Sequence, residues 1–302
     1  MRIGIIDTGS NTIRLVVFDC EEGAPANHSG LHTLADIKNT AGLSNYVQDG
    51  TFTEAGVDKA SRVLREHIAC AQNLGCEKTH IFATAVLRNA KNSSKAVREV
   101  ENRIDADIEL LSGEDEAKLG LKGAFSGTDV TSGTLIDLGG GSCEITNFNA
   151  ESCNSASLKI GCVSAYSQFV SNIFPSKKER EAIRAAMREK LEKTGVALGK
   201  HEDIFGIGGS VRAVAKFTRE MKNLHKTSKH VLLQDIEDML DFLKKDEDAF
   251  AHVAVRAVPD RIHSVVPGCI IIGEILKAKD ASQLSICKHG LREGYLLNKL
   301  EL

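Results

Sequence analysis

Short, almost continuous apolar runs bounded by turn residues alternate along this chain with longer stretches whose apolar residues recur every three to four positions. That alternation predicts an α/β protein, because a strand buried on both faces reads as an unbroken apolar run while an amphipathic helix carries one apolar stripe. The chain opens on two β-rich runs, Arg2 to Asp7 and Ile13 to Phe18, around Thr8, Gly9, Ser10, Asn11 and Thr12, which predicts a hairpin. Ala60, Val63, Leu64 and Ile68 give helical periodicity to 53–74, and His80-Ile81-Phe82-Ala83 follows as a short buried strand. A helix is expected over 94–104 and a strand over 108–111. Ser112-Gly113-Glu114-Asp115 then has the spacing of a capping box and starts a helix through Ala117, Leu119 and Leu121.

After a turn-rich stretch at 126–132 the opening pattern returns. Ile6-Asp7-Thr8-Gly9-Ser10 and Ile136-Asp137-Leu138-Gly139-Gly140 lie 130 residues apart, and each is a strand ending in Asp, a glycine-rich turn and a second strand. The repeat predicts two similar α/β domains, 1–124 and 125–302, each offering its first hairpin turn to a shared cleft. A third glycine cluster, Gly206-Ile207-Gly208-Gly209-Ser210, follows a strand and opens a helix over 211–222. Helices at 233–243 and 246–255, an apolar stretch at 269–276 and a closing helix over 290–299 complete the pattern. The last segment, about 290–302, is expected to pack back on the first domain.

Charge narrows the function. Thirty-eight basic and 41 acidic side chains in 302 residues leave a net −3, which excludes a chain whose bulk charge holds nucleic acid or an anionic membrane. The distribution is uneven: 1–150 carries 14 basic and 21 acidic side chains, whereas 176–230 carries 14 and 7. The basic tract reads either as the solvated face of an amphipathic helix, with Ile183, Met187, Leu191 and Val196 near helical spacing, or as a guide for a polyanion. Asp7 interrupts any signal-like start and no apolar run approaches the roughly 18 residues of a membrane span, so a cytoplasmic protein is expected. Eight cysteines without a C-x-x-C pair are read as buried, reduced thiols. His28 and His32 form the one helical-spaced histidine pair, with Gly30 between them and no third ligand nearby, and a zinc site is set aside.

Glycine turns at strand ends let backbone N–H groups converge on an anion, most often phosphate. Three such turns, with the hydroxyls of Thr8, Ser10, Thr12, Ser142 and Ser210, suit a substrate with several phosphoryl groups. Asp137 and Glu144 lie at the two mouths of one hairpin, and Asp7 occupies the equivalent place in the first repeat. Carboxylates beside phosphates repel one another unless a cation intervenes, and Mg²⁺ fits, with Mn²⁺ as a second candidate. For Glu114, Asp115 and Glu116 two readings stand: favourable charges in a helix's first turn, or a carboxylate that orients water for attack on phosphorus. Asp7-Thr8-Gly9-Ser10 also matches an aspartic protease loop, but a chain this rich in helices excludes it. No Walker-type P-loop occurs, and Val211 stands where a dinucleotide fingerprint needs its third glycine.

Taken together, Ile6 to Leu15, Ala83 to Asn92, Ser112 to Ala117, Ile136 to Glu144, Gly206 to Ser210 and Gly290-Leu291-Arg292-Glu293-Gly294 resemble, in order and from end to end, the exopolyphosphatase/guanosine pentaphosphate phosphohydrolase (Ppx/GppA) family. The resemblance implies two RNase H-like domains of the actin-like ATPase and sugar kinase type with a cleft between them, and Mg²⁺-dependent release of a terminal phosphate. By the same resemblance Glu116 is the base that activates water and Arg88 neutralises developing charge. Asp137 and Glu144 hold the metal with Asp7 close by. Gly9, Ser10, Asn11 and Thr12, with Gly139, Gly140, Gly141 and Ser142, cradle phosphates, and Gly208, Gly209 and Ser210 match a nucleotide-binding loop. Asp115 departs from the family's first Glu, and the chain resembles the family's short form, which favours short substrates.

The expected activity is therefore exopolyphosphatase, acting on inorganic polyphosphate, with pppGpp 5'-phosphohydrolase as the alternative in the same class. A sugar-kinase-type phosphotransferase and a non-catalytic polyphosphate or alarmone sensor share the loops. No nucleic-acid or membrane partner is expected, and a homodimer is left open.

Overall fold

The computed structural model describes residues 1–21, 30–196 and 203–301, and the chain divides into two compact units, Met1–Thr128 with Leu291–Leu302, and Asp129–Gly290. The break follows Thr128 rather than residue 124, because the helix carrying Glu116 runs to Phe125 and Thr128 closes its end through an N–H donated to the Phe125 carbonyl, 3.0 Å.

The first unit runs β1 (Arg2–Thr8), β2 (Ile13–Cys20), β3 (Leu31–Asn39), the small pair β4 (Val47–Gln48) and β5 (Thr51–Phe52), then α1 (Glu54–Asn73), β6 (Lys78–Ala83), α2 (Ala85–Arg88), α3 (Ser93–Ile104), β7 (Glu109–Leu110) and α4 (Gly113–Phe125). Its five-stranded sheet has the order β3-β2-β1-β6-β7, antiparallel from β3 to β1 and parallel from β1 to β7. Both faces are covered, which is why β1 reads as a continuous apolar run. Ile6, with Ile13, Leu15 and Val17 of β2, packs in one core with Val57, Leu64 and Val100 of α1 and α3. Ile3 and Ile5 pack in another with Leu119, Tyr295 and Leu296.

The second unit runs β8 (Gly133–Leu138), β9 (Cys143–Phe148), β10 (Cys153–Leu158), α5 (Cys162–Phe169), α6 (Lys177–Thr194), β11 (Ile204–Ile207), α7 (Gly208–Lys222), β12 (His230–Leu232), α8 (Leu233–Lys245), α9 (Glu247–Ala257), α10 (Ile262–Ala278) and β13 (Gln283–Ile286). The order β10-β9-β8-β11-β13 repeats that of the first sheet, and antiparallel β12 extends it. Three antiparallel strands followed by two parallel ones, twice in one chain, make this an α/β protein with two RNase H-like units. One core holds α10 in the unit's centre, where Val265, Val266 and the run Cys269 to Leu276 are buried. The final helix, α11 (Leu291–Leu300), belongs to the first unit.

Among the elements that escaped the sequence reading, three did so for clear physical reasons. β3 is an edge strand whose residues are half-buried or exposed, so it carries no apolar run. β10 is the other unit's polar edge, and α5 is too short to show periodicity. α7 begins at Gly208, not Val211, so the third glycine cluster forms the helix's first turn. All eight cysteines are free, but only Cys20, Cys143, Cys162 and Cys269 are buried. Cys70, Cys76 and Cys287 are half-buried, and Cys153, on the β10 edge, is exposed. His28 lies outside the described residues, and His32 meets Glu21 at the surface, 3.1 Å. No helix among the described residues is long and apolar enough to cross a membrane.

Candidate active site

In the first unit the C-terminal ends of the parallel strands lie side by side, with Thr8 opposite Ala83 and Ala83 opposite Leu110. From these ends lead the turn 9–12, α2 and α4, the side of an open α/β sheet where ligands bind. Gly9 N donates to the Thr12 carbonyl at 3.0 Å, and the carbonyls of Ser10 and Asn11 accept from Ser44 N and Gly42 N, each at 2.9 Å. Ser10 and Asn11 are buried by this packing. Thr8 Oγ1 and Asn11 Nδ2 are buried without a hydrogen-bond partner among the described residues.

The structure separates the three consecutive acids. Glu114 pairs at the surface with Lys118, 2.7 Å. Asp115 is the capping residue: Ser112 Oγ accepts from Asp115 N at 3.0 Å, and Asp115 Oδ2 accepts from Ser112 N at 3.1 Å. A further bond from Ser112 Oγ to Asp115 Oδ2, 2.6 Å, and then the one from Ser112 N hold the Asp115 carboxyl below its ordinary value. Glu116 turns inward, 5% exposed, and pairs with Arg88 at the end of α2. Arg88 Nη1 also donates to the Leu111 carbonyl, 2.9 Å, joining the β6–α2 corner to the start of α4.

Asp7 has a different partner from the one expected. Its Oδ2 accepts from Arg292 Nη1 of α11 at 2.9 Å, and its cross-strand neighbour is Arg14. Burial pushes its carboxyl upward, and Arg292 and then Arg14 oppose that. A carboxylate engaged by arginine is a poor metal ligand, so the cation reading of Asp7 weakens in favour of an ion pair.

The second unit repeats the turn: Gly139 N donates to the Ser142 carbonyl at 3.0 Å. Here α5 rests against the turn, with Val163 N and Ser164 N both donating to the Gly140 carbonyl at 2.9 Å. Cys162 Sγ donates to the Gly139 carbonyl, 3.3 Å, and lies 2.9 Å from Ser210 Oγ, tying the second glycine turn to the third. Gly208 has φ +89, and a Cβ there would stand 2.4 Å from Asp137 Oδ1, so the Asp137 carboxylate lies against this glycine. A Cβ on Gly209 would stand 2.5 Å from Arg261 Nη2, and Arg261 Nη1 donates to Ser210 Oγ at 3.4 Å. Arg261 therefore sits on the third loop. Sequence reasoning missed it, because nothing local ties a residue of the turn before α10 to a loop so far upstream.

Asp137 and Glu144 are directly opposite in the β8–β9 register, so their side chains share one face. Glu144 is 2% exposed and its Oε1 accepts from Ser157 Oγ at 2.7 Å. Burial, then the negative charges of Glu144 and Asp137, push the neighbouring Cys143 thiol up. Two oriented carboxylates are the donor set Mg²⁺ takes when phosphate oxygens and water complete its shell, so these residues fit the ion. No three His, Cys, Asp or Glu side chains gather as a metal cluster among the described residues.

The basic tract is partly committed within its own unit. Arg184 and Arg188 meet Glu274, Lys222 meets Asp235 and Asp238, and Arg219 donates to the Ser228 carbonyl. Lys177 and Lys178 remain exposed, and Lys200 lies outside the described residues.

The sequence matches the model of the Ppx/GppA phosphatase family over residues 16–302. Exopolyphosphatase 1 of Mycobacterium tuberculosis is 24% identical over 310 residues, spanning 100% of this chain and 89% of that protein. Exopolyphosphatase 2 of the same organism is 24% identical over 323 residues, with 98% of each chain covered. Among solved structures, an exopolyphosphatase from Cytophaga hutchinsonii has a TM-score of 0.84 at 20% identity, covering 100% of this chain and 98% of that one. The Aquifex aeolicus Ppx/GppA family member has 0.77 at 21%, with 100% and 98% covered. The structural likenesses speak for the fold; the sequence match across nearly the whole chain assigns it to the Ppx/GppA phosphatase family, as a phosphoanhydride hydrolase.

Proposed function

We propose that this chain is an Mg²⁺-dependent exopolyphosphatase, which releases orthophosphate from the end of inorganic polyphosphate. The observation that carries the reading is Glu116. Of three consecutive acids it is the one buried and held by an arginine, at the C-terminal ends of the parallel strands. There its carboxylate orients a water and accepts a proton as the new P–O bond forms. The bridging P–O bond breaks with its electron pair on the shortened polyphosphate.

Arg88, already beside Glu116, offsets charge on the equatorial phosphate oxygens as the transition state develops. The backbone N–H groups of the turns 9–12 and 139–142 donate to non-bridging oxygens. Mg²⁺ held by Asp137 and Glu144 supplies charge neutralisation to the phosphates when bound. The reading thus assigns the base to the first unit and the metal ligands to the second.

The test is Mg²⁺-dependent phosphate release from short polyphosphate, long polyphosphate, pppGpp and ATP, by the wild type and by Glu116→Gln. Loss of a positioned general base lowers kcat by about 10²- to 10⁴-fold, and that loss on polyphosphate with the fold intact is the expected result. Faster turnover of pppGpp than of either polyphosphate moves the assignment to a pppGpp 5'-phosphohydrolase. A Glu116→Gln variant as active as the wild type removes Glu116 from the base role.

A further inference from the structure

The motif Gly290-Leu291-Arg292-Glu293-Gly294 has no part in the mechanism above, and its placement gives it one. We infer that α11 is a brace for the catalytic turn, with Arg292 a positioning residue that acts through Asp7. The inference builds on the proposed function, since it concerns the same reaction.

Three observations within the first unit support it. Arg292 reaches from α11 to the end of β1, where its Nη1 bonds Asp7 Oδ2 at 2.9 Å, immediately before the turn 9–12. The competing arginine, Arg14, is directly opposite Asp7 but points its guanidinium to Asp36, so Arg292 is the cation hydrogen-bonded to Asp7. The Arg292 Nε is buried with no hydrogen-bond partner among the described residues, an arrangement set by the helix rather than by the arginine's own hydrogen-bonding needs.

Gly294 fixes where that arginine starts. A Cβ there would lie 1.8 Å from the Leu119 carbonyl oxygen and 2.7 Å from Gly123 N, so the backbones of α11 and α4 touch. Leu119 is one turn beyond Glu116 on α4. The far end of α11 is fastened as well. Tyr295 donates to Glu109 at 2.5 Å, Lys299 meets the same carboxylate at 2.9 Å, and the Tyr295 ring packs on Phe82 with centroids 4.7 Å apart. Glu109 and Phe82 belong to β7 and β6, the strands that lead to α4 and to Arg88. One helix thus references Asp7, the base-bearing helix and both strand ends to each other. A free Asp7 carboxylate beside a turn that receives phosphate would repel the substrate; the arginine offsets its charge and fixes its direction.

The experiment compares the full chain with Arg292→Gln, Arg292→Lys, Asp7→Asn and the double variant. It uses steady-state phosphate release on whichever phosphoanhydride the wild type hydrolyses, and hydrogen exchange of the substrate-free protein. A misplacement of about 1 Å costs up to about 100-fold, so Arg292→Gln should lose about 10- to 100-fold in kcat with KM within about threefold. Arg292→Lys should recover part of the loss. Adding Arg292→Gln to Asp7→Asn should cost nothing further. Exchange should quicken in peptides covering 5–15 of Arg292→Gln and stay unchanged in peptides covering 133–148.

A rise in KM with kcat preserved would make Arg292 a direct phosphate ligand and overturn the inference. So would additive losses in the double variant, or unchanged exchange over 5–15. Because the exchange readout needs no turnover and Glu116 is untouched, failure of the base assignment and failure of the brace are separately visible.

Discussion

Gly161→Ala isolates the role of the second glycine turn. Gly161 is the residue before α5, with φ −122 and ψ 179, an extended conformation that alanine adopts without strain. Its cost must therefore come from contact. A Cβ would stand 2.4 Å from Gly140 C, 2.5 Å from Gly140 O and 2.7 Å from Gly141 N. Unstrained carbon contacts need about 3.5 Å, so roughly 1 Å of separation must open, and the opposing atoms are backbone with no rotamer to yield. α5 is tied to the same peptide by two N–H groups on the Gly140 carbonyl, so the movement falls on the turn itself. Overpacking of this kind costs about 1–3 kcal/mol. For a unit of this size it lowers Tm by roughly 2–4 °C per kcal/mol. With phosphate held by this turn as proposed, a shift of this size should lower kcat by about 10- to 100-fold. Gly268→Ala in α10 is the control. Its nearest atoms are Cys162 Cβ at 3.6 Å and Val214 Cγ2 at 3.7 Å, an ordinary contact, and alanine gains about 0.5–1 kcal/mol of helix preference. The assay is phosphate release beside thermal unfolding. Wild-type turnover by Gly161→Ala would refute the claim that the 139–142 turn holds substrate.

Two further outcomes are expected. Lys279 is buried, with Nζ donating to Asn147 Oδ1 at 2.8 Å and the Val196 carbonyl at 2.9 Å, and burial holds its ammonium below the ordinary 10.5. Both acceptors keep another donor, Thr134 Oγ1 and Asn147 Nδ2, so Lys279→Met should raise Tm at neutral pH. Since the unfolded lysine holds its proton to higher pH than the folded one, the variant's advantage should shrink as pH rises toward 10.5, which unfolding curves across pH will show. Ser157→Ala removes the hydroxyl that orients Glu144. It should weaken Mg²⁺ or Mn²⁺ binding by roughly tenfold in calorimetry, and unchanged affinity would argue that Glu144 is not held for a metal.

Much of this was readable in the chain because the signals were local. Asp7 and Asp137 with their glycine turns, the Ser112 capping box and the buried strands all declare themselves within a few residues of sequence. The structure gives the two turns the same N–H to carbonyl bond. What escaped was long-range or masked by exposure. The polar edge strands β3 and β10 bury too little to pattern. Arg261 on Ser210 and Arg292 on Asp7 are pairings made by the fold, across 51 and 285 positions, and no spacing rule announces them. The Glu114-Asp115-Glu116 cluster is the intermediate case. Its sequence supported both a favourable first-turn charge and catalysis, and the structure gives the cap to Asp115 and turns Glu116 inward to Arg88.

The repeat also sets two charge patterns on one hairpin geometry. At matching positions of the two hairpins, Asp7 faces Arg14 and Asp137 faces Glu144. In the first unit the carboxylate lies in the field of two arginines, which offset its charge. In the second, two carboxylates stand directly opposite, an arrangement that is destabilising by itself and that a divalent ion relieves. The basic neighbour in the first hairpin and the acidic one in the second go with the same turn hydrogen bond, and the proposed reading assigns the metal to the second unit. On that reading the proposed base, Glu116, lies on the first unit, where Arg88 is its partner. Two turns with the same hydrogen bond thus differ in the charge of a single cross-strand neighbour, and the proposed metal site rests on that difference.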